Sequence, residues 1–522
     1  MTIQNITQAK NDAQVTTRPP VVVVLGHVDH GKSSLLEAIR EDFKITAKES
    51  GGITQHIGAY VVEIPAEPKS AEALLKGGQR FITFIDTPGH EAFSAIRSRG
   101  AKIADLAVLV VAADEGVKLQ TKEAIEQAKK AGLPLVVAFN KMDKPEANLE
   151  KARQQLSAEG VVVESYGGKV PEVATSAVLK QGIKELLETI LLMAELEELK
   201  ADGAAPATGV VIESELDSRR GPAATLLVKK GTLRPGAVVA TRSSWGKARI
   251  VEDFQGQAME QVPPSFPCLV IGFENAPRVG EEFRVFSTQE EARAFLVPSA
   301  ASLPQPSQTR PQQETFSELP TLDIIVKADA AGSLEALEQA LSAIPQEQVA
   351  LRFVDTGVGE IAEKDVKTAI GTKARIMGFR TKAQSSAADL AEREKVKIET
   401  FEIIYELVQR VRTLMEKNIE PELVKTELGS LKVRAVFLTD KNRQIVGGKV
   451  GSGEIRKGSK VEIFRGEEFV GQGKIVNLQK QKKDAGSAKA GEECGLQVES
   501  SEHVQEGDTL KSFIQETKQV EL

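Results

Sequence analysis

Cysteine is scarce. The 522 residues hold two, Cys268 and Cys494, far apart in the chain. That excludes a disulfide-stapled fold and a cysteine-rich zinc centre, and it fits a reducing cytoplasm. Long apolar runs are missing too: none approaches the ~20 residues a membrane-spanning helix needs, so no membrane partner is expected. The first twenty residues have neither the apolar core of a secretory signal nor the Arg-rich face of a transit peptide, so residues 1–19 are expected to be a disordered tail. An excess of positive charge is also absent. The net charge of −7 argues against a protein that coats nucleic acid. Residues 430–483 run the other way, with 13 Lys and Arg against 5 Asp and Glu. A local anionic partner and a lysine-rich solvated β-surface account for that segment equally well.

What is present is ordinary in bulk. The chain is 41% hydrophobic and 27% charged, enough for folded cores, and its length suits roughly three to five domains. Residues 21–25 are Val-Val-Val-Val-Leu, a buried strand. Gly26 to Ser33 then fits G-x-x-x-x-G-K-[ST], and Leu35–Ile39 continues as a helix. Strand, glycine loop and helix in that order cradle a polyphosphate with backbone N–H groups and a helix dipole. The phosphate-binding set is Gly26, His27, Val28, Asp29, His30, Gly31, Lys32, Ser33 and Ser34. Lys32 reaches the β- and γ-phosphates and Ser33 holds Mg²⁺.

Residues 20–200 alternate strands and helices, the pattern of a mostly parallel sheet covered on both faces. Residues 66–80, rich in Pro, Lys and Gly, read as a surface insertion. Polar motifs recur at the strand ends, where open α/β sheets bind ligands. Asp86-Thr87-Pro88-Gly89-His90 follows one strand, with Asp86 placed to hold Mg²⁺ and the Gly89 N–H placed for a γ-phosphate. Asn140-Lys141-Met142-Asp143 follows another. A carboxylate there accepts guanine N1–H and the 2-amino group, which selects GTP over ATP. Thr175-Ser176-Ala177 ends a later segment, with Ser176 and Ala177 offering backbone N–H to the guanine carbonyl. Each motif alone has a bland reading as a turn or polar loop; four in order, each at a strand end, favour a GTP site.

Gly26–Lys32 together with Asp86–His90 resembles the translational GTPases. Gly51-Gly52-Ile53-Thr54-Gln55-His56-Ile57-Gly58-Ala59-Tyr60 and His90-Glu91-Ala92-Phe93 resemble the bacterial initiation factor 2 family, in a form without a long N-terminal extension. The likeness runs from about residue 20 to the C-terminus. It implies that Thr54 meets Mg²⁺ and closes over the γ-phosphate, that His90 is the catalytic residue orienting the attacking water, and that Val28 and Ile53 form an apolar gate around it.

The remainder reads as a series of smaller bodies. Short strands and turns over 207–298 suggest a β-barrel, where Trp245 and Arg242 fit core packing or plain surface better than RNA contact. Residues 299–319 are a linker. Residues 320–395 return to an α/β/α pattern with Ser333 as a helix N-cap, and no catalytic constellation appears there. Phe401, Ile404, Leu407, Val408, Val411 and Leu414 space one amphipathic helix over 398–418 within a connecting segment 396–425. Residues 426–522 read as a second barrel. The resemblance makes that barrel the binder of formylmethionyl initiator tRNA, through Glu493-Cys494-Gly495 with Lys480 and Lys482. Gly448 stands where the family usually has cysteine and Lys480 where it usually has arginine. Glycine is expected to widen the apolar pocket, and Lys to meet phosphate as a point charge.

The fold expected is therefore multidomain α/β plus β: P-loop GTPase domain, barrel, α/β/α domain, connecting helix and C-terminal barrel. The resemblance implies a cytoplasmic, monomeric, ribosome-stimulated GTPase that uses GTP and Mg²⁺ and places initiator tRNA. Its partners would be the 30S and 50S subunits and other initiation factors. The alternatives are a translational GTPase with another aminoacyl-tRNA cargo and a metabolic GTPase subunit.

Overall fold

A computed structural model describes residues 15–40, 58–64, 80–88, 93–217, 219–296, 319–419, 422–440, 442–481 and 483–518. The chain divides into two compact units, between Leu414 and Met415.

The first unit opens with β1 (Val15–Thr17), antiparallel to Lys200–Asp202. This corrects the expected tail for residues 15–18: three β-branched residues suit a strand, and Arg18 forms a bidentate ion pair with Asp105 at 2.6 Å. Six strands then form one sheet: β2 (Val21–Gly26), β3 (Gly58–Ile64), β4 (Arg80–Asp86), β5 (Leu106–Ala112), β6 (Leu135–Asn140) and β7 (Glu172–Ala174), in the order β3-β4-β2-β5-β6-β7. Only β3 runs antiparallel, against β4. β2 and β5 are buried along their whole length, as central strands under two layers of helix must be. The helices are α1 (Lys32–Ile39), α2 (Ser94–Ile103), α3 (Leu119–Ala131), α4 (Leu149–Ala158) and α5 (Ile183–Leu196). The expected insertion at 66–80 lies outside the described residues up to Arg80, which begins β4.

After β8 (Lys200–Asp202) comes a closed barrel: β9 (Thr208–Asp217), β10 (Gly221–Lys230), β11 (Val238–Ala240), β12 (Trp245–Glu252), β13 (Pro267–Phe273) and β14 (Glu282–Phe286), paired β10-β13-β12-β11-β14-β9. Val211, Leu226, Val228 and Phe283 lie in its core. Ser265 pins it to the first sheet: its carbonyl accepts from Thr83 Oγ1 at 2.6 Å and its hydroxyl from Arg18 at 3.1 Å. Trp245 is buried against Ala240 and Ala292 of α6 (Gln289–Phe295), and Arg242 stacks 4.0 Å over Phe295. The expected linker lies outside the described residues, apart from Leu319.

The next layer holds β15 (Thr321–Ala328), α7 (Ala331–Ser342), β16 (Ala350–Val358), α8 (Glu363–Thr372), β17 (Arg375–Phe379), α9 (Ser385–Arg393) and β18 (Ile398–Phe401). Its four strands are all parallel, in the order β16-β15-β17-β18. Two expectations fail here. Ser333 is not the N-cap of α7; Ala330 holds that position, Ser333 is buried within the first turn, and the Gly332 N–H is satisfied from the barrel by Glu213. The single helix over 398–418 is also corrected. Residues 398–401 add to the open edge of β17, where unpaired backbone groups favour a strand, and only α10 (Ile404–Asn418) is helical. Its 15 residues span ~22 Å, with Ile404, Leu407, Val411 and Leu414 buried. Arg410 on this helix is tied to Glu399 of β18 at 2.6 Å. Beyond it a strand, not helix, begins at Glu422.

In the second unit, β19 (Glu422–Asp440), β20 (Arg443–Arg456), β21 (Lys460–Arg465), β22 (Glu468–Lys480), β23 (Lys483–Asp484), β24 (Ser487–Lys489), β25 (Glu493–Ser500) and β26 (Thr509–Lys518) follow. Pairing runs β19-β26-β21-β22-β25-β20 and returns from β20 to β19, closing a second barrel around Leu431, Val446, Ile463, Leu478 and Leu496. The multidomain α/β plus β class expected from sequence is the class observed. Among the described residues, no helix is long and apolar enough to cross a membrane.

Candidate functional site

The C-terminal ends of β2, β4 and β6 and the chain after β7 converge on one site. Gly26 ends β2 at φ +143°, and a Cβ there would stand 2.4 Å from the Val110 carbonyl oxygen, so only glycine lets the loop leave the sheet this way. Residues 28–30 make one tight helical turn, and Gly31, at φ 81°, reverses the chain into α1. The Lys32 ammonium donates to the carbonyls of Gly26 (3.0 Å) and His27 (2.8 Å), so it lies inside the loop it was expected to serve. Burial pushes it down to about 8. Ser33 is half-buried on the first turn of α1, while Asp29 and Ser34 are exposed.

His30 belongs to the glycine loop whose backbone N–H groups are expected to meet phosphate. Its ring is buried, with Nδ1 3.4 Å from the Val110 carbonyl. Burial, with His27 alongside, pushes it down to about 4, so it is neutral at pH 7. Only its backbone belongs to the loop. The Val28 N–H is taken by Gln120 Oε1 at 3.0 Å. Gln120 lies on α3 in no recognisable motif, and no signal in the sequence pointed to it.

Asp86 ends β4, is buried, and its charge acts on Lys32. Ser33 and Asp86 offer one hydroxyl and one carboxylate oxygen, the hard donors that fit Mg²⁺. Among the described residues no group of three His, Cys, Asp or Glu gathers for a metal. Thr87 Oγ1 donates to the Val24 carbonyl at 2.9 Å. The buried Arg97 of α2 donates to the Pro88 carbonyl at 3.1 Å and pairs with Glu123 at 2.6 Å. Arg97 was also missed by sequence reasoning, because nothing local marks a guanidinium that reaches back nine residues. Ile53, Thr54, Gly89 and His90 lie outside the described residues.

On the base side, Asn140 is a junction. Its Nδ2 donates to the carbonyls of His30 (3.1 Å) and Gly31 (3.4 Å), and its Oδ1 accepts from the Ala177 N–H at 3.2 Å. It therefore joins the phosphate loop to the segment after β7. Lys141 sits in the left-handed region (φ 63°), with Nζ 3.3 Å from Glu115. Asp143 accepts from Ser176 Oγ at 2.6 Å. The Ser176 N–H donates to the Gln181 carbonyl. The backbone N–H groups expected to meet guanine at 176 and 177 are thus engaged inside the loop, and its side chains orient Asp143.

In the second unit, β20 pairs Gly448 with Cys494 of β25, and Glu493 and Gly495 flank it. The expected wide pocket at Gly448 is corrected. A Cβ there would stand 2.4 Å from the Lys432 carbonyl oxygen and 2.5 Å from Leu431 Cδ2, so the space is filled from β19. Cys494 belongs to the barrel core and burial pushes its thiol up to about 11. Glu493 pairs with Arg434 at 2.8 Å, and Lys480 pairs with Glu492. A Cβ on Gly495 would meet open space. Lys482 lies outside the described residues.

Comparison with known proteins agrees with this layout. Residues 18–195 match the family model of the elongation factor Tu GTP binding domain, 206–286 that of elongation factor G domain 2, and 304–412 that of translation-initiation factor 2. The chain is 42% identical over 509 residues to Translation initiation factor IF-2 of Thermodesulfovibrio yellowstonii, covering 96% of this chain and 66% of the relative. It is 43% identical over 513 residues to that of Thermosynechococcus vestitus, covering 96% and 52%. It is 41% identical over 520 residues to that of Trichodesmium erythraeum, covering 98% and 48%. The chain thus spans about half to two thirds of the length of these relatives. Among solved structures, GDP-bound aIF5B from Aeropyrum pernix is similar at 28% identity with a TM-score of 0.46, covering 95% of this chain and 92% of that one. The chain belongs to the translation initiation factor 2 family.

Proposed function

We propose that this protein is a GTP-dependent translation initiation factor, cytoplasmic and monomeric, that binds formylmethionyl initiator tRNA on its C-terminal barrel. It places that tRNA on the 30S subunit alongside other initiation factors, promotes joining of the 50S subunit, and hydrolyses GTP on the ribosome. The observation that carries the reading is the double tie made by Asn140, which joins the phosphate loop at His30 to Ala177, next to the Ser176 whose hydroxyl holds Asp143. A site so built measures a nucleotide from base to phosphate.

Lys32 and the backbone of residues 26–33 bind the phosphates, while Asp143, steered by Ser176, accepts from guanine. Ser33, Asp86 and Thr54 would hold Mg²⁺, which when bound neutralises charge on the phosphates. His90 orients the attacking water, with Val28 and Ile53 excluding bulk solvent around it. Positioning of that water, with electrostatic stabilisation of the phosphate oxygens, supplies the rate. In the C-terminal barrel, Lys480, Lys482, Glu493 and Gly495 are the residues offered to the aminoacyl end of the tRNA, with Gly448 and the buried Cys494 as the strand pair beside them.

The test is protection of the ester of formylmethionyl initiator tRNA from hydrolysis, with unformylated methionyl-tRNA as control, alongside ribosome-stimulated release of phosphate from GTP. Selective protection together with stimulated turnover is expected. Turnover without protection would leave a translational GTPase with a different cargo, and loss of both would end the reading.

A further inference from the structure

Residues 113–120 join the end of β5 to the first turn of α3 and belong to none of the motifs that mark the nucleotide site. Neighbouring elements fix the shape of this connection. The Gly116 N–H donates to the Ala112 carbonyl at 2.8 Å. Gln155 of α4 takes the Val117 N–H at 2.8 Å, and a Cβ on Gly116, at φ 80°, would stand 2.0 Å from that same Gln155 oxygen. Only glycine lets α4 hold the turn so closely. The Ala113 N–H donates to the Asn140 carbonyl at 2.9 Å, and the Ala113 carbonyl accepts from the Asn148 N–H at 2.8 Å. The loop of residues 140–148 is thereby fastened to the turn by backbone at each of its ends.

Two adjacent carboxylates of the turn then meet lysines of that loop. Asp114 accepts from Lys144 Nζ at 2.6 Å and Glu115 from Lys141 Nζ at 3.3 Å, with Lys118 3.5 Å from the other Glu115 oxygen. The Lys141 and Glu115 side chains are only 20% and 32% exposed, so solvent screens this pair less than a fully exposed one. A lysine side chain has many rotamers open to it, and Glu115 selects one direction for this one. The same segment reaches the phosphate side at its far end. Gln120 Oε1, on the first turn of α3, accepts the Val28 N–H at 3.0 Å. The His27 carbonyl, at the other end of the same peptide group, accepts from Lys32 Nζ at 2.8 Å. That peptide is held at both ends, and its orientation sets the path of the loop into residues 28–30.

We infer that residues 113–120 position both halves of the nucleotide site, with Glu115 acting through Lys141 and Gln120 acting through the His27–Val28 peptide. Both are positioning residues that act through another group. The inference rests on the guanine-nucleotide reading above for its effect on affinity, though not for the two holds themselves. Asn140 joins the two loops directly; this segment joins them a second time, by a path that shares none of the Asn140 side-chain bonds. A loop held before the ligand arrives has less freedom to lose on binding, so such holds lengthen the life of the complex.

The test uses the full chain with Glu115→Gln, which keeps the shape and removes the charge, and Gln120→Met, which keeps the length and removes the acceptor. Dissociation of a fluorescent GDP reads the effect on the site. Hydrogen exchange of the Val28 amide without nucleotide reads the hold by Gln120. Each variant is expected to speed GDP release by about tenfold, with the association rate within about twofold of the wild type. Gln120→Met is expected to speed Val28 exchange by about tenfold, and Gln120→Glu, which keeps an acceptor, to leave it slow. Lys141→Met supplies the decisive background. There Glu115→Gln should change release by less than about twofold, because the carboxylate acts through that ammonium. Wild-type release in either single variant would overturn the inference, as would a Glu115→Gln effect undiminished beside Lys141→Met, or Val28 exchange indifferent to Gln120→Met. A protein that binds no GDP, yet whose Val28 exchange answers to Gln120→Met and is kept slow by Gln120→Glu, would remove the nucleotide reading and uphold the hold on the loop.

Discussion

Asn140 donates through Nδ2 to the carbonyl of His30 at 3.1 Å, so the residue that ends β6 holds the loop that follows β2. The bond is buried and is one of several that meet at this single amide. Two loops that bind opposite ends of a nucleotide thereby move as one.

Replacing Asn140 with Ala leaves the His30 and Ala177 backbone groups without their partner. Unsatisfied buried groups cost about 1–3 kcal/mol each, so GDP binding is expected to weaken by about a hundredfold. Titration calorimetry measures this directly, and an affinity close to the wild type would make the junction incidental.

Asp143 is steered by Ser176 Oγ at 2.6 Å, which orients its carboxylate. Asp143→Asn exchanges an acceptor for a donor, and xanthine offers the carbonyl that matches it. Preference is expected to turn toward xanthosine diphosphate by about ten- to a hundredfold in competition binding. Persistence of the guanine preference would mean that another residue reads the base.

The Lys32 ammonium, pushed down to about 8 by burial from 10.5, makes the nucleotide-free protein pH-dependent. Between those two values the unfolded chain binds more protons than the folded one. Stability therefore rises as pH climbs from about 8 to about 10.5, by up to about 3 kcal/mol. Nucleotide phosphate favours the charged form, so GDP binding above about pH 8 should take up a proton, seen as buffer-dependent heat in calorimetry. Lys32→Met should abolish both the uptake and the slope; a variant that keeps them would assign them to another group.

Gly448 is hemmed in by the Lys432 carbonyl and Leu431 Cδ2. Gly448→Ala is expected to destabilise the C-terminal barrel by about 1–3 kcal/mol through overpacking. Adding Leu431→Ala should relieve the side-chain clash and leave the backbone clash in place. Denaturant midpoints of the two variants check this, and a fully stable Gly448→Ala protein would show that β19 yields at no cost.

Sequence showed most clearly what is encoded locally. The four-valine strand, the glycines at 26 and 31 and the polar ends of β4 and β6 are contiguous signals, and all lie where one site forms. Side-chain business conducted over long range was invisible: Gln120 on Val28, Arg97 on Pro88, and Glu213 on Gly332. Ser333 looked like an N-cap because a serine beside a glycine at a helix start commonly is one, but the cap had been supplied from another domain. The strand at 398–401 was mistaken for helix because its apolar spacing continues into α10, and only the open edge of β17 decides between the two. His30 shows the converse: a motif position whose side chain is buried against the Val110 carbonyl of β5.

The strand at Val15–Thr17 bears on how the protein is made. Its partner, Lys200–Asp202, leaves the ribosome far later, and at the usual pace of synthesis the wait is about 10–40 s. Arg18 waits longer still, since Ser265, one of its acceptors, lies 247 residues away. The earliest described stretch to emerge thus docks only once residues 200–202 have been made. During that interval the nascent chain carries a β-branched segment whose partner strand has not yet been made.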